Sequence, residues 1–135
     1  MPKISIILPT FNVEKYIAKA LESCINQSFK DIEIIVVDDC GSDKSIDIAK
    51  EYAKKDKRIK IVHNEKNLGT FAARNNGVKH SNSEYLMFLD PDDFLDRDYF
   101  YEVDSFLKKQ NNIAMVATNI IFYREKRKIL YKDTH

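Results

Sequence analysis

Three aspartates, Asp90, Asp92 and Asp93, lie within four residues, directly after the apolar run 85–89. Closely spaced carboxylates repel one another, so a loop without a ligand gains nothing from them. A hard divalent cation relieves this repulsion, and Mg²⁺ and Mn²⁺ prefer carboxylate oxygens together with substrate phosphates. The alternative is an aspartate-rich turn or helix start. The position at a strand end favours the first interpretation, so we predict that Asp90, Asp92 and Asp93 bind Mn²⁺ or Mg²⁺.

A second acidic pair, Asp38 and Asp39, ends the apolar run 32–37. An ionised carboxylate only accepts hydrogen bonds. Uracil presents an N3–H donor where cytosine presents an acceptor, so an aspartate here could select uridine, because the wrong base would leave buried acceptors face to face. The competing interpretation is turn and capping chemistry across residues 38–43, and both stay open on this motif alone.

A third group combines Gly69, Thr70 and Arg74. The glycine permits close approach, and Thr70 opens a predicted helix whose N-terminus attracts anions. The guanidinium of Arg74, about one turn further on, suits bidentate contact with phosphate. The alternative is an ordinary loop glycine beside a surface arginine.

The elements that must position these groups alternate along the chain. Apolar and β-branched runs predict strands at 4–8, 32–37, 58–63, 85–89 and 113–118, and a further pair of strands about a charged turn within 120–131. Apolar residues at helical spacing predict helices near 17–25, 46–53, 71–79 and 100–107. The predicted N-caps are Asn12, then Ser42 or Asp43, then Thr70 and Asp96.

This alternation predicts an α/β fold with a mostly parallel sheet flanked by helices. In such sheets ligands bind beyond the carboxyl ends of the strands. Those ends carry residues 9–12, 38–39 and 90–93. We therefore expect the three segments to meet at one edge of the sheet.

Composition excludes several classes of protein. Lys and Arg number 22 and Asp and Glu 21, so the charge balance predicts no nucleic-acid partner. No apolar run approaches the ~20 residues that span a bilayer, and no signal-peptide cleavage pattern follows Met1. We therefore expect a cytoplasmic protein. Cys24 and Cys40 are expected to be unpaired thiols.

Missing motifs exclude further classes. The chain has three glycines, and no G-x-G-x-x-G follows the first strand, which disfavours a dinucleotide-binding Rossmann domain. It has no P-loop sequence. A phospho-receiver domain needs an acidic cluster after the first strand, where this chain has Pro9 and Thr10.

Four blocks of sequence together resemble the family 2 glycosyltransferases. They are IILPTFN at 6–12, IIVVDDCGSD at 34–43, NLGTFAARN at 67–75 and FLDPDD at 88–93. The blocks occur in the family's order and spacing, and the resemblance covers nearly the whole chain. It implies a GT-A fold, which is Rossmann-like and doubly wound, and inverting transfer from an activated sugar, usually a UDP-sugar.

The resemblance also implies roles by position. Thr10 and Phe11 should lie against the nucleoside, Asp39 should contact uracil, and Arg74 should lie near the base or diphosphate. The three aspartates of residues 90–93 match the family's D-x-D region, with Asp92 or Asp93 expected as the direct metal ligand. The predicted nucleotide-sugar-binding set is Pro9, Thr10, Phe11, Asn12, Asp38, Asp39, Gly69, Arg74, Asp90 and Asp92.

A narrower similarity links the chain to bacterial lipooligosaccharide β-1,3-galactosyltransferases. It implies transfer of a hexose, such as galactose, to a cell-surface glycan or glycolipid acceptor, such as lipooligosaccharide or capsule. Five basic residues near the C-terminus bear on that acceptor: Arg124, Lys126, Arg127, Lys128 and Lys132. They predict either a solvated hairpin turn or docking to the anionic inner membrane, where lipid-linked acceptors reside.

One departure from the family concerns its catalytic base, an aspartate expected later in the chain than the D-x-D region. The sequence ends at His135, so we expect residues 1–135 to form a single donor-binding domain, a fragment of a longer enzyme without that base. The alternative is a non-catalytic nucleotide-sugar-binding module.

Overall fold

The computed structural model describes residues 1–118, 121–124 and 127–130. The chain divides into two compact units, Met1–Glu102 and Val103–His135. The first unit contains a four-stranded sheet, and the second contains a two-stranded hairpin.

The sheet of the first unit consists of parallel strands in the order β3-β2-β1-β4. The central strands are β1 (Ile4–Thr10) and β2 (Ile32–Asp38), and the outer strands are β3 (Ile59–His63) and β4 (Tyr85–Phe88). Residues of β1 and β2 are buried on both faces, which explains their nearly continuous apolar sequences. The first four predicted strands and the parallel α/β class are confirmed.

Helices cover both faces of this sheet. On one face, α1 (Ile17–Ile25) and α2 (Ser45–Lys55) pack over the larger core. On the other face, α3 (Thr70–His80) packs against β1 and β2 through a smaller core around Ile7, Ile35, Val37 and Ala73. A fourth helix, α4 (Tyr99–Lys109), runs from the first unit into the second. The first unit is therefore doubly wound.

Close packing of α3 on β1 depends on Gly77. A Cβ atom built there would lie 2.4 Å from Cγ2 of Ile7 and 3.1 Å from Cγ2 of Val37. Any larger side chain would push α3 away from the sheet. This glycine therefore sets the distance of α3, and of Arg74 on it, from the strand ends.

The amino edge of the sheet is held by a buried carboxylate, Glu33. It accepts hydrogen bonds from the Ser5 hydroxyl, from Nζ of Lys60 at 2.8 Å and from the Asn82 N–H at 2.8 Å. Burial would raise the pKa of Glu33, but the hydrogen bonds from Lys60, Ser5 and Asn82 outweigh it and hold that pKa below its usual value. The loop after α3 is thereby joined to the bottom of the sheet.

The four predicted helices are confirmed and begin within one residue of their predicted starts, but several predicted N-caps were wrong by a few residues. The N-cap of α1 is Tyr16, that of α2 is Lys44 and that of α3 is Gly69, none with a side-chain capping bond. Asn12 instead contacts the loop between β2 and α2, where its side-chain oxygen accepts hydrogen bonds from two backbone N–H groups. The predicted cap at Asp96 bonds the N–H of Asp98, one residue before α4 begins.

The predicted strand at 113–118 is also wrong, because these residues are described and do not adopt strand structure. The predicted pair of strands within 120–131 is confirmed as an antiparallel hairpin of β5 (Ile121–Arg124) and β6 (Arg127–Leu130). The side chains of the basic group at 124–132 lie outside the described residues. No helix in the described segments is both long and apolar enough to cross a membrane.

Candidate functional site

The carboxyl ends of the strands meet at one edge of the sheet, as predicted. Thr10 at the end of β1 is the Cα partner of Asp38 at the end of β2, and the Asp39 N–H donates to the Thr10 carbonyl at 3.0 Å. On the other side of β1, the Leu89 N–H donates to the Ile7 carbonyl at 2.9 Å. These ladder bonds bring the first turn, the acidic pair and the start of the 90–93 cluster to the same edge.

The first turn places an aromatic side chain at this edge. Pro9 and Thr10 are buried, and the Thr10 hydroxyl donates to the Leu8 carbonyl at 3.0 Å. Phe11 is 48% exposed, so its ring is available to a planar ligand. Of this turn, Phe11 therefore offers contact surface, while the side chain of Thr10 fixes the backbone.

Asn12 joins the first turn to the loop after β2. Its Oδ1 accepts the N–H groups of Ser42 and Asp43 at 2.8 and 3.3 Å, and its φ is 50°. A Cβ atom at Gly41 would lie 2.7 Å from that oxygen and 3.0 Å from the Asn12 nitrogen, so a side chain at position 41 would displace Asn12 from these contacts. The sequence predicted that Asn12 binds the nucleotide-sugar. In the structure, the side-chain oxygen of Asn12 accepts hydrogen bonds from backbone N–H groups of the protein.

A second set of bonds returns from this loop to the first turn. Oδ2 of Asp43 accepts the Glu14 N–H at 2.9 Å, and Oε2 of Glu14 accepts the Lys44 N–H at 3.0 Å. Burial would raise the pKa of Asp43, but hydrogen bonds from Ser45 and the Glu14 N–H hold it below its usual value. The turns after β1 and β2 are therefore joined by hydrogen bonds in both directions at the sheet edge.

The two aspartates at the end of β2 have different surroundings. Oδ2 of Asp38 lies 2.8 Å from Nδ1 of His63, and its Oδ1 accepts the Cys40 N–H at 3.0 Å. Asp38 therefore faces β3 and its own turn. The acidic motif by itself did not separate the role of Asp38 from that of Asp39, and only the family resemblance assigned the uracil contact to Asp39.

Asp39 is 3% exposed and binds the loop between β3 and α3. Its Oδ1 accepts Nδ2 of Asn64 and the Leu68 N–H, both at 2.9 Å, and its Oδ2 accepts the Gly69 N–H at 3.0 Å. Gly69 has a φ of 89°, which favours glycine. Because Oδ2 takes a single donor among the described residues, it keeps capacity to accept another hydrogen bond.

Arg74 links α3 to the acidic cluster. Its Nη2 donates to Oδ1 of Asp90 at 2.9 Å, and its guanidinium carbon lies 5.5 Å from the centroid of the Phe88 ring. Its Nε is buried and has no hydrogen-bond partner in the described part of the chain. A buried N–H without an acceptor is unfavourable, so this nitrogen is a donor that a ligand could satisfy.

The carboxylates of Asp90, Asp92 and Asp93 can bring one oxygen each within 4.8 Å of one another. The Asp93 N–H donates to the Asp90 carbonyl at 2.8 Å, which closes the turn that gathers them. Burial raises the pKa of Asp93, and the charges of Asp92 and Asp90 raise it further. These three carboxylates offer hard oxygen ligands, and the ion pair with Arg74 offsets only part of their negative charge, so the cluster fits a divalent cation.

Sequence reasoning missed two asparagines that lie behind this edge. Asn64 follows β3 as Asp39 follows β2, and its N–H donates to the Asp38 carbonyl at 2.9 Å. The rule of strand carboxyl ends could have found it. Asn76 lies on α3 and donates to Asn64 at 2.5 Å, and no sequence pattern marks it.

Similarity to known proteins agrees with this architecture. The family model described as glycosyl transferase family 2 matches residues 5–134. An uncharacterized glycosyltransferase of Haemophilus influenzae is 42% identical over 122 residues, which cover 90% of this chain and 48% of that protein. Glycosyltransferase GlyA of Streptococcus pneumoniae is 43% identical over 107 residues, covering 79% of this chain and 15% of that protein. The chain thus spans less than half the length of either relative.

A solved structure shows the same fold. S. aureus TarS 1-349 in complex with UDP-GlcNAc aligns with a TM-score of 0.75 and 34% identity, over 79% of this chain and 31% of that one. The parallel sheet with helices on both faces therefore has the GT-A architecture, as predicted. The match of the family model over nearly the whole chain shows that this protein belongs to glycosyl transferase family 2.

Proposed function

We propose that this chain is the donor-binding half of an inverting glycosyltransferase that transfers a hexose from a UDP-sugar. The observation that carries the proposal is the meeting, at one sheet edge, of a buried acceptor, a partly satisfied arginine and a carboxylate cluster. TarS has been solved in complex with UDP-GlcNAc, and at 34% identity that relative supports a uridine donor here.

Asp39 would recognise the nucleobase of the UDP-sugar by hydrogen bonding. Its Oδ2 has remaining acceptor capacity, which suits the N3–H of uracil and opposes the acceptor N3 of cytosine. Phe11 offers an exposed ring on the same edge against which a base could pack. Asp38, which is bound to His63, supports this pocket from the side of β3.

The diphosphate would lie between Arg74 and the acidic cluster. The buried Nε of Arg74 needs an acceptor, which a phosphate oxygen or a base carbonyl would supply. Asp90, Asp92 and Asp93 would hold Mn²⁺ or Mg²⁺, with Asp92 or Asp93 as the direct ligand. The metal, when bound, supplies Lewis-acid stabilisation of the charge that develops on the departing diphosphate.

The acceptor would be a cell-surface glycan or glycolipid, with lipooligosaccharide or capsule and a galactose donor as the narrower candidates. The catalytic base that deprotonates the acceptor hydroxyl would lie outside the described residues. The alternative function is a non-catalytic nucleotide-sugar-binding module. Measuring UDP release from UDP-sugars, with and without galactose- or hexosamine-terminated acceptors, distinguishes a transferase from a binding module. A glycoside product would show that residues 1–135 suffice for transfer.

The basic group at 124–132 would bring the enzyme to lipid-linked acceptors at the inner membrane. Each basic residue near an anionic surface contributes roughly 1 kcal/mol, so binding should weaken with salt. Sedimentation with anionic and neutral liposomes tests this part. Equal binding to both, or to neither, would reject it.

The uridine assignment is tested by calorimetric titration of the chain with UDP, CDP and GDP in the presence of Mn²⁺. We expect UDP to bind most tightly, because Asp39 offers only acceptors to the base. Equal affinities for UDP and CDP would remove Asp39 from base recognition.

A further inference from the structure

The segment that follows the acidic cluster is held by side chains from a distant part of the chain. Residues 93–96 have no regular secondary structure. The Leu95 N–H donates to Oγ of Ser23 on α1 at 3.1 Å, and the Asp96 carbonyl accepts Nε2 of Gln27 at 2.5 Å. Two side chains, one on α1 and one in the turn after it, therefore fix the path of a segment that lies outside every strand and helix.

Gln27 is fully buried and uses both ends of its amide. Besides its bond to the Asp96 carbonyl, Nε2 donates to the Ser23 carbonyl at 3.1 Å, and Oε1 accepts the Phe100 N–H at 3.1 Å. An apolar side chain in its place would remove all of these bonds from buried or partly buried backbone groups. One side chain therefore ties the end of α1 both to this segment and to the start of α4.

The acidic cluster lies between two fixed points. Before it, the Leu89 N–H donates to the Ile7 carbonyl in the sheet at 2.9 Å. After it, the bond from Leu95 to Ser23 holds the chain just beyond Asp93. The three carboxylates repel one another, so without such restraints the turn would spread and would have to be gathered again when a cation binds. Restraint at both ends reduces the free energy that this ordering costs.

We propose that Ser23 and Gln27 are positioning residues for the metal site, which hold the acidic cluster in the arrangement that a divalent cation requires. The proposal rests on the proposed function, in which the three aspartates bind Mn²⁺ or Mg²⁺. Neither side chain is a metal ligand, because each is bound to backbone groups of residues 95–100. Both act through the chain that follows the cluster.

The test compares Ser23→Ala with Ser28→Ala. Ser23→Ala removes the oxygen that accepts the Leu95 N–H, and alanine is a good helix former, so α1 itself is retained. The hydroxyl oxygen of Ser28 is buried and has no hydrogen-bond partner among the residues that the structure describes. Ser28→Ala also keeps the backbone N–H that donates to the Arg97 carbonyl at 3.0 Å. Each variant therefore loses one hydroxyl, but only Ser23→Ala releases the segment.

Calorimetric titration with UDP, in Mn²⁺ and in EDTA, gives the factor by which the metal strengthens binding. We expect Ser28→Ala to keep the wild-type factor and both variants to keep the wild-type affinity in EDTA. Ser23→Ala should reduce the factor by about tenfold, at the lower end of the effect of groups that orient metal ligands. Equal factors in the two variants would overturn the proposal. A wild type whose UDP affinity does not respond to Mn²⁺ would overturn the metal assignment itself, and with it this inference.

A second measurement needs no metal. In the metal-free protein, the Leu95 amide should exchange its hydrogen faster in Ser23→Ala than in Ser28→Ala, because only the first variant removes its acceptor. Amide exchange followed by NMR gives the two rates. Equal rates would show that Ser23 does not hold the segment, and would overturn the proposal.

Gln27→Met tests the second residue. Methionine keeps an unbranched side chain but has no N–H to donate. Its control is Glu33→Gln, which weakens the fold at the opposite, amino edge of the sheet. A Mn²⁺ factor that falls in Gln27→Met and not in Glu33→Gln supports the proposal, and equal factors in the two would contradict it. Circular dichroism checks that each variant is folded, and the Ser23 comparison decides the proposal if Gln27→Met is not.

Discussion

Replacing Asp39 by asparagine removes one of the two acceptor oxygens from a carboxylate that holds three donors. In the structure these donors are Nδ2 of Asn64 and the N–H groups of Leu68 and Gly69. The amide oxygen of asparagine can keep two of them. Its NH₂ group must then face the third, which leaves a buried donor without an acceptor.

An unsatisfied buried donor costs about 1–3 kcal/mol, so Asp39→Asn should lower the free energy of unfolding by that amount. If the NH₂ group of the new asparagine takes the place of Oδ2, it offers the nucleobase a hydrogen-bond donor where Asp39 offers an acceptor. The UDP preference over CDP should therefore fall by at least about tenfold, since a mismatched contact in a buried site costs a similar energy.

Two measurements separate the effects. Urea unfolding gives the change in stability, and calorimetry gives the dissociation constants of UDP and CDP. The matched control is Asp31→Asn, because Asp31 is exposed beside the start of β2, at the opposite edge of the sheet. If Asp39→Asn kept the UDP/CDP ratio of the control, Asp39 would have only the loop-binding role.

Three further predictions concern the scaffold. Asn12→Ala should destabilise the fold by about 1–2 kcal/mol in urea unfolding because two backbone N–H groups lose their acceptor, whereas Asn12→Asp should retain most of the stability. Gly77→Ala should cost about 1–3 kcal/mol by overpacking against Ile7, and a thermal midpoint equal to that of the wild type would contradict the close packing. Glu33→Gln should lose stability at neutral pH relative to the exposed control Glu84→Gln. Because the folded-state pKa of Glu33 lies below its ordinary value of 4.5, the wild-type advantage should be present above about pH 4.5 and disappear as the pH falls through the folded-state pKa.

The strands could be predicted because burial on both faces leaves a local signature. Residues of β1 and β2 are apolar almost throughout, and a parallel sheet covered by helices requires that. The segment 113–118 has a similar apolar character but does not adopt strand structure, because a local apolar pattern alone does not determine whether a strand forms. Its Met115 is 86% exposed.

The position of the acidic residues at the carboxyl edge of the sheet could be predicted because carboxylates at strand ends are visible in the sequence. The partners that give each residue its role could not, since they lie far away along the chain. Asn12 binds a loop 30 residues later, and Asp39 binds a loop 25–30 residues later. Asn76 has no local signal, because its hydrogen-bond partner Asn64 lies 12 residues earlier in the chain.

The central claim is that the edge carrying Asp39, Arg74 and the acidic cluster binds a uridine diphosphate together with a metal ion. The most direct measurement is calorimetric titration with UDP, with Mn²⁺ and with EDTA, for the wild type and for Asp92→Ala and Asp93→Ala. We predict that Mn²⁺ strengthens UDP binding in the wild type and that each substitution weakens this effect. UDP affinity that is the same with and without the metal, in all three proteins, would contradict the account.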